Sequence, residues 1–325
     1  MPITSIDTDV EALTMTVVAD FTVPARRLWE AYSDPRQLEK FWGPPAWPAT
    51  FSRHDMAPGG QSRYYMSGPD GERMDGLWEI VRVEAPHTLE VRDRFVGDDG
   101  RADEDMPTMR VVFDFEDTDA GSRLVVTTWF NSVPDLEQML EMGMDEGLST
   151  AMGQIDQVVA DLTSFAAGAG TTLQVLDKTH VRVSRIIRGP VEKVWDAHHD
   201  PDLMKRWMLG PDGWTMPVCE VATAVGDSYR NEWVDGDGEN GFGFTGELLE
   251  SAHPYRAVTT ERMIGTDGPT NVNEMTLTRT DDGTLLSMLI TYQDLQTRDM
   301  ILATGMTEGM ESSYARMESE LMGVA

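Results

Sequence analysis

Four side chains of this 325-residue chain are candidates for proton transfer. His54 and Asp55 are adjacent, and an imidazole beside a carboxylate can perform general acid–base chemistry such as aldol or dehydration steps. Glu79 and Glu247 lie on similar strand-like segments, where a carboxyl group inside a cavity would have a raised pKa. The alternative for both glutamates is a position on the rim or the outer face of a strand.

The sequence carries no pattern that predicts a metal or cofactor site. It has six histidines and one cysteine, and the clustered histidines His198 and His199 are adjacent residues, which do not share a helix face. Phosphate-binding glycine loops, the nucleophile elbow and the His-Glu-x-x-His motif are absent from the sequence. The acidic run at 98–105 is typical of a solvated loop, with weak calcium binding as the alternative. We therefore expect no cofactor and no metal.

A second group of side chains, aromatic and thioether, suits binding of a flat apolar molecule. The chain has 22 methionines and 9 tryptophans, and several alternate along strand-like runs, so that half of each strand would point inward. Such residues form either an ordinary core or an apolar ligand pocket with a few polar groups. The candidate ligand-binding residues are Trp42, Trp47, Tyr64, Met66, Trp78, Trp129, Met144, Met152, Trp207, Trp214, Tyr229, Trp233, Phe244, Tyr292, Met306, Met310 and Tyr314.

Two pairs of glycines interrupt a helical pattern, Gly143 with Gly147 and Gly305 with Gly309. In a helix each glycine costs up to about 1 kcal/mol relative to alanine, so a structural or functional reason is expected. One reason is a kink or a close approach of the helix to a sheet. Another is space for a ligand beside a bare stretch of helix. A third is that the helix begins only after the first glycine of each pair.

Composition and charge exclude several classes of protein. The chain has 26 basic and 56 acidic residues and a net charge of −30, which argues against binding nucleic acid or an anionic membrane surface. A single cysteine rules out a disulfide framework. The N-terminus lacks a basic region followed by an apolar run, and no apolar stretch approaches the ~20 residues that span a bilayer. We expect a cytoplasmic protein with no nucleic-acid or membrane partner.

The chain is an internal duplication. Segment 23–35 recurs as segment 189–201 at a constant offset of 166 residues, with proline, tryptophan and a second proline at matching places. Segment 143–147 recurs as segment 305–309 at an offset of 162. Similarity at the start and the end of each half predicts two copies of one domain.

The two copies, predicted at residues 1–167 and 168–325, share one order of elements. A strand is followed by two short helices, which begin near proline or at Asp-Pro. About six strand-like runs come next, separated by turns, and an amphipathic helix with a period of 3.6 residues ends each copy. This order predicts an α+β domain in which the long C-terminal helix covers the concave face of a curved antiparallel sheet.

This order and the pattern Pro-x4-Trp-x-Ala-x2-Asp-Pro resemble the START-like, or SRPBCC, superfamily, and most closely the domain named after the activator of heat-shock-protein ATPase. The residues that carry the resemblance in copy one are Pro24, Trp29, Ala31, Asp34, Pro35, Leu38, Phe41, Trp42, Gly43, Pro58, Gly59, Gly60, Trp78 and Glu79. Those in copy two are Pro190, Trp195, Ala197, Asp200, Pro201, Trp207, Gly210, Gly226, Gly246 and Glu247. The resemblance implies two tandem helix-grip domains, each with a cavity between its sheet and its long helix.

The resemblance also implies a range of functions. Members bind lipids, hormones, polyketides and other apolar molecules, some cyclise or dehydrate polyketides, and some from enediyne producers are sacrificed to neutralise the toxin. We predict a protein that binds or sequesters hydrophobic, aromatic or polyketide-type molecules, in natural-product biosynthesis or self-resistance, rather than an enzyme. The alternatives are a polyketide cyclase or dehydratase and a chaperone ATPase-activator-like interaction module. A homodimer is a further expectation.

Overall fold

The computed structural model describes residues 3–97, 100–161, 170–210, 213–238, 240–266 and 268–323. The chain divides into two compact units, Met1–Phe165 and Ala166–Ala325, which are called unit 1 and unit 2 below. The predicted boundary between residues 167 and 168 falls outside the described residues and stays a prediction.

Unit 1 is built on an eight-stranded antiparallel sheet with the strand order β1-β2-β8-β7-β6-β5-β4-β3. Its strands are β1 (Ile3–Asp9), β2 (Thr14–Phe21), β3 (Ala49–His54), β4 (Gln61–Ser67), β5 (Arg73–Glu84), β6 (Thr88–Val96), β7 (Met109–Thr118) and β8 (Gly121–Trp129). Its helices in the described residues are α1 (Ala25–Ser33), α2 (Pro35–Leu38), α3 (Val133–Glu141), α4 (Met144–Gly153) and α5 (Ile155–Asp161).

Unit 2 repeats this topology, with the strand order β11-β12-β13-β14-β15-β16-β10-β9. Its strands are β9 (Thr172–Val175), β10 (His180–Ile187), β11 (Thr215–Glu220), β12 (Ser228–Val234), β13 (Gly241–Ala252), β14 (Arg256–Met263), β15 (Asn271–Thr280) and β16 (Gly283–Thr291). Its helices in the described residues are α6 (Val191–His199), α7 (Pro201–Trp207), α8 (Leu295–Leu302) and α9 (Met306–Met317), followed by a π-helical turn (Glu318–Met322). The edge strands β1 and β9 were not predicted from the sequence, because β1 is polar and exposed along most of its length.

Local sequence signals start the short helices as predicted. Asp34 caps α2, its carboxylate accepting a hydrogen bond from the Arg36 backbone N–H, and Pro35 occupies the first helical position. Asp200 caps α7 in the same way. Because the ring of proline fixes φ and supplies no N–H, it fits a first helical position, where that donor would be unsatisfied.

Each sheet buries one face, called here the inner face, against the helices of its own unit. Along β2 the buried residues Met15, Val17 and Ala19 alternate with half-buried ones, as the period of two in a strand requires. In the described part of unit 1 the buried apolar residues form one continuous cluster, whereas in unit 2 they form three separate clusters. The predicted α+β class with two tandem helix-grip domains is confirmed.

The C-terminal helical region of each unit is broken at its first glycine. Gly143 caps the N-terminus of α4 with φ of 80°, and Gly305 caps α9 with the same φ. A residue in this left-handed conformation cannot continue the preceding helix. Gly143 and Gly305 are therefore explained by the third possibility, that the helix begins only after the first glycine of each pair. Within the part of the chain that the structure describes, none of the helices combines the length and the apolar character of a membrane span.

The second glycine of each pair, Gly147 or Gly309, lies within α4 or α9 and faces open space. A Cβ atom built on either residue would meet no heavy atom of its surroundings within 4 Å. These glycines therefore do not mark a close approach to the sheet. They lie at the margin of the buried stripe, three residues after the half-buried Met144 and Met306.

Alanine substitutions separate the two kinds of glycine. We expect Gly147→Ala and Gly309→Ala each to raise the free energy of unfolding by about 0.5–1 kcal/mol, because alanine has the higher helix propensity and meets no obstacle. Gly143→Ala and Gly305→Ala should lower it by about 1–2 kcal/mol, because alanine is strained at positive φ. Urea unfolding of the four variants measures these changes, and a loss of stability in Gly147→Ala would contradict the assignment of open space.

Candidate functional site

A tyrosine lies flat across a glycine on the inner face of each sheet. In unit 1 a Cβ atom on Gly76 of β5 would lie 2.3 Å from the Tyr64 ring of β4. In unit 2 a Cβ atom on Gly246 of β13 would clash first with the Thr260 carbonyl oxygen of β14 and would lie 2.8 Å from the Tyr229 ring of β12. The absence of a side chain on the glycine lets each tyrosine ring extend over its neighbouring strand toward the next one.

Each tyrosine reaches toward a carboxyl group on the next strand, Asp93 of β6 or Glu261 of β14. The two acids occupy equivalent positions, because Asp93 is paired with the first residue of β7, Met109, and Glu261 with the first residue of β15, Asn271. Asp93 continues the inward series of Leu89 and Val91 on β6. Sequence reasoning missed both acids, although an acidic residue on the apolar side of the same strand in both copies was a signal that could have found them.

Burial controls the protonation of both carboxyl groups. It raises the pKa of Asp93 from 3.8 to about 7, against the opposing effects of the Arg94 backbone N–H and the Trp78 and Tyr64 side chains. Burial likewise raises the pKa of Glu261, against the opposing effects of Asn273 and Tyr229. Both residues are half-buried.

Aromatic rings surround Asp93 in unit 1. The Trp42 and Trp78 rings meet edge to face with 4.6 Å between centroids, and Tyr64 lies 5.9 Å from Trp78. The indole Nε1 of Trp78 is buried without a hydrogen-bond partner. Trp78 nevertheless favours the charged form of Asp93 and so lowers its pKa, against the larger effect of burial.

Glu261 in unit 2 has a more polar environment. The Tyr229 hydroxyl donates a hydrogen bond to the Thr260 carbonyl oxygen at 3.0 Å, and the negative charge of Glu261 helps to raise the pKa of Tyr292 to about 12, after the larger effect of burial. The Tyr292 hydroxyl in turn lies 4.0 Å from the Met306 sulfur at the start of α9. Tyr292 therefore interacts both with the Glu261 carboxyl group and with the half-buried first turn of that helix.

The predicted catalytic candidates lie elsewhere. Glu79 is on the outer face, 3.2 Å from Arg94, and Glu247 is exposed, because each directly follows an inward residue on its strand. His54 is buried, and its Nε2–H donates to the Tyr32 carbonyl oxygen at 3.0 Å while Nδ1 accepts from the Ser62 hydroxyl at 2.8 Å. Asp55 is buried beside Arg53, with 3.9 Å between the charged atoms.

The predicted ligand-binding residues divide between the inner face and other positions. The members of the set packed in the cores of their units are Trp42, Tyr64, Met66, Trp78, Met144, Met152, Trp207, Trp214, Trp233, Phe244, Tyr292, Met306, Met310 and Tyr314. Tyr229 lies over Gly246 beside these clusters. Trp129 lies on the outer face under the Arg110 guanidinium, at 4.3 Å, and Trp47 lies in a loop against Gly68.

The two adjacent histidines of α6 form hydrogen bonds to backbone carbonyl groups of their own helix. His198 Nδ1 donates to the Val194 carbonyl oxygen at 2.7 Å, and His199 Nδ1 donates to the Trp195 carbonyl oxygen at 2.9 Å. Burial lowers the pKa of His198 to about 4, so this imidazole is neutral at pH 7. In the part of the chain that the structure describes, no three His, Cys, Asp or Glu side chains are grouped to hold a metal ion.

A half-open depression of about 360 Å³ lies on the opposite side of the unit 1 sheet. Arg63, Arg73 and Asp75 are among its lining residues. Arg63 and Asp75 alternate with the inward Tyr64 and Gly76, so the depression opens away from the helices. Its charged lining does not suit an apolar ligand. Tyr64 and Gly76 also belong to the lining, so the depression adjoins the tyrosine–carboxyl site of unit 1.

Comparison with known proteins places this arrangement in a family. A family model described as "Activator of Hsp90 ATPase homolog 1-like protein" matches residues 22–160 and 188–322. The chain belongs to this family. One match falls in each unit, so the AHSA1-like domain occurs twice.

Three solved structures similar to parts of the chain come from bacteria. A crystal structure from Mycobacterium smegmatis is 43% identical, covering 48% of this chain and 96% of that one, with a TM-score of 0.46. A solution structure from Arthrobacter aurescens is 40% identical, covering 49% and 92%, with a TM-score of 0.47. A crystal structure from Rhodobacter sphaeroides is 24% identical, covering 48% and 100%, with a TM-score of 0.45. No curated protein matches the chain.

The raised pKa of Asp93 makes the stability of the folded protein depend on pH. Because the folded pKa of Asp93 is raised from 3.8 to about 7, folding binds a proton in that window, and stability falls as pH rises through it. The slope for one group is at most about 1.4 kcal/mol per pH unit. We expect Asp93→Asn to remove this loss, so that its stability relative to the wild type rises between pH 4 and 7 and levels off above.

Urea unfolding of the wild type and Asp93→Asn across pH 4 to 8 measures the difference. Asp114→Asn is the matched control, since Asp114 lies on the neighbouring strand on the other face and accepts a hydrogen bond from Thr88 Oγ1. A constant difference between wild type and Asp93→Asn over the whole range would contradict the raised pKa.

Proposed function

We propose that each unit binds an apolar small molecule between the inner face of its sheet and the first turns of α4 or α9. The observation that carries this proposal is the same in both units. The first half of the helix is only half-buried, with Met144 and Leu148 in unit 1 and Met306 and Met310 in unit 2 partly accessible. Met144 and Leu148 pack against the core cluster of unit 1, which contains the aromatic rings near Asp93, and Met306 and Met310 pack against the cluster of unit 2 that contains Tyr292.

Several physical features favour an aromatic or polyketide-type ligand in particular. Offset and edge-to-face contacts with rings such as Trp42 and Trp78 stabilise flat apolar groups. Methionine side chains adapt to irregular shapes. A pocket with mostly apolar walls and one or two polar groups is the usual form of a small-molecule site. The open space beside Gly147 and Gly309 supports an opening on that side of each helix.

Binding of a neutral apolar dye such as Nile red to the full chain tests the proposal. The double variant Gly147→Trp with Gly309→Trp should bind at least fivefold more weakly, because the indole rings fill the open side of both gaps. The matched double alanine variant should bind within twofold of the wild type, since a methyl group leaves the space free. Equal binding by the tryptophan variant and the wild type would sink the proposal.

A polyketide cyclase or dehydratase is the second candidate, and Asp93 favours it. A carboxyl group whose pKa is raised to about 7 exchanges protons at neutral pH, which is the property a general acid or base needs. The chaperone ATPase-activator-like interaction module, a homodimer and a cytoplasmic location remain predictions from the sequence.

Self-resistance to an enediyne toxin also remains a prediction, with a defined test. A glycine Cα gives up hydrogen readily, and Gly143 and Gly305 lie beside the proposed gaps, with no atom that would obstruct a Cβ closer than 3.5 Å. The diradical of an activated enediyne would abstract a hydrogen atom from one of these Cα atoms, and reaction of the resulting glycyl radical with dissolved O2 would cleave the chain there, as mass spectrometry would show. An intact chain, or scattered adducts only, rejects sacrifice without bearing on simple binding.

A further inference from the structure

The inner faces of the two units differ at positions matched by strand register. Opposite the acid, Met109 of unit 1 is replaced by Asn271 of unit 2. Two residues further along the same strand, Val111, paired with Val91, is replaced by Asn273, paired with Thr259. Unit 2 therefore carries amides where unit 1 carries apolar side chains.

These amides present hydrogen-bond acceptors that the protein leaves unpaired. The Oδ1 atoms of Asn271, Asn273 and Asn231 on β12 are buried without a partner, and Asn271 and Asn231 are only 7% and 8% exposed. Asn273 favours the charged form of Glu261, which requires its NH2 group to face the carboxylate and leaves Oδ1 as the free atom. Glu261, Asn271 and Asn273 are called the acceptor cluster below.

Asn273 and Tyr229 favour the charged form of Glu261, but within the described residues the amide oxygens of Asn271 and Asn273 receive no donor. The Tyr229 hydroxyl donates to the Thr260 carbonyl oxygen, and the Tyr292 hydroxyl is directed at the Met306 sulfur. A buried acceptor without a partner is costly, and several on one surface are expected where a ligand brings the donors. The cluster is connected through Tyr292 and Met306 to the half-buried turn of α9, where the proposed gap lies.

Protonated amines match this surface in number of donors and in charge. An ammonium group offers three donors and a positive charge, enough for one carboxylate oxygen and two amide oxygens. A hydroxyl offers one donor and leaves the carboxylate without a counter-charge. The net charge of −30 on the chain raises the local concentration of cations over anions.

We propose that unit 2 binds a small molecule with an apolar body and a protonated amine, the ammonium group held by Glu261, Asn271 and Asn273. This inference rests on the proposed function, because it names the class of ligand for one of the two gaps. The duplication would then serve two specificities, with unit 1 receiving apolar molecules that lack the amine.

Two probes with the same aromatic body test the inference on the full chain. 2-Naphthylmethylamine and 2-naphthylmethanol differ only in the head group, and titration calorimetry gives the affinity of each. We expect the amine to bind at least tenfold more tightly than the alcohol at pH 7.5. Lowering the pH should weaken amine binding as Glu261 becomes protonated, and leave alcohol binding unchanged.

The matched variant replaces the two amides by their unit 1 counterparts, Asn271→Met with Asn273→Val. It should lose the preference for the amine and keep its affinity for the alcohol. Glu261→Gln, which keeps a hydrogen-bonding group of the same shape, should lose the preference as well. The control Met109→Leu with Val111→Ile, at the same positions of unit 1, should keep it. Thermal unfolding verifies that every variant is folded.

The outcomes separate this inference from the proposed function. If wild type binds both naphthyl probes equally, or if Asn271→Met with Asn273→Val retains the preference, the amine assignment is overturned and apolar binding stands. If neither probe nor Nile red binds the wild type, the proposed function itself fails. Loss of the preference in the unit 1 control would also overturn the assignment to unit 2.

Discussion

The alternation of side chains along antiparallel strands is the constraint on which each unit depends. Among the residues that the structure describes, helices cover one face of each sheet, so the hydrophobic effect acts on every second residue. The consequence is clear on β5, where Trp78 is fully buried and the adjacent Glu79 pairs with Arg94 on the other face. It also brings Asp93 inward, because that residue is in phase with Leu89 and Val91 on β6.

The tyrosine and the glycine beneath it occupy different register positions in the two units. In unit 1 Tyr64 is paired with Gly76, and Ser62 is paired with Trp78. In unit 2 the pair is Tyr229 with Gly246, two residues along, at the place that Ser62 and Trp78 hold in unit 1. In both units the tyrosine ring crosses the neighbouring strand at a residue without a side chain, whereas the two acids occupy the same register position.

The interiors of the units have different physical characters. Unit 1 has one continuous apolar cluster among its described residues, and its acid is surrounded by aromatic rings. In unit 2 the apolar clusters are separate, and asparagines and tyrosines lie on the inner face. Arg185, buried on β10, pairs with Glu318 at 3.0 Å and also pairs with Glu311 of α9. Paired charges of this kind tolerate burial, whereas single acceptors do not.

The fold class, the duplication and the starts of the short helices could all be predicted from the amino-acid sequence. These follow from local signals, namely proline and aspartate caps, strand periodicity and a repeated motif, which act over a few residues. The tertiary structure alone decided which residues meet. Glu79 and His54 have chemical groups suited to acid–base chemistry. Strand register places Glu79 on the outer face, and both ring nitrogens of His54 form hydrogen bonds, one to the Tyr32 carbonyl and one to the Ser62 hydroxyl. Asp93 and Glu261 became notable only when the sheet enclosed them, because burial that depends on distant strands and helices sets their pKa.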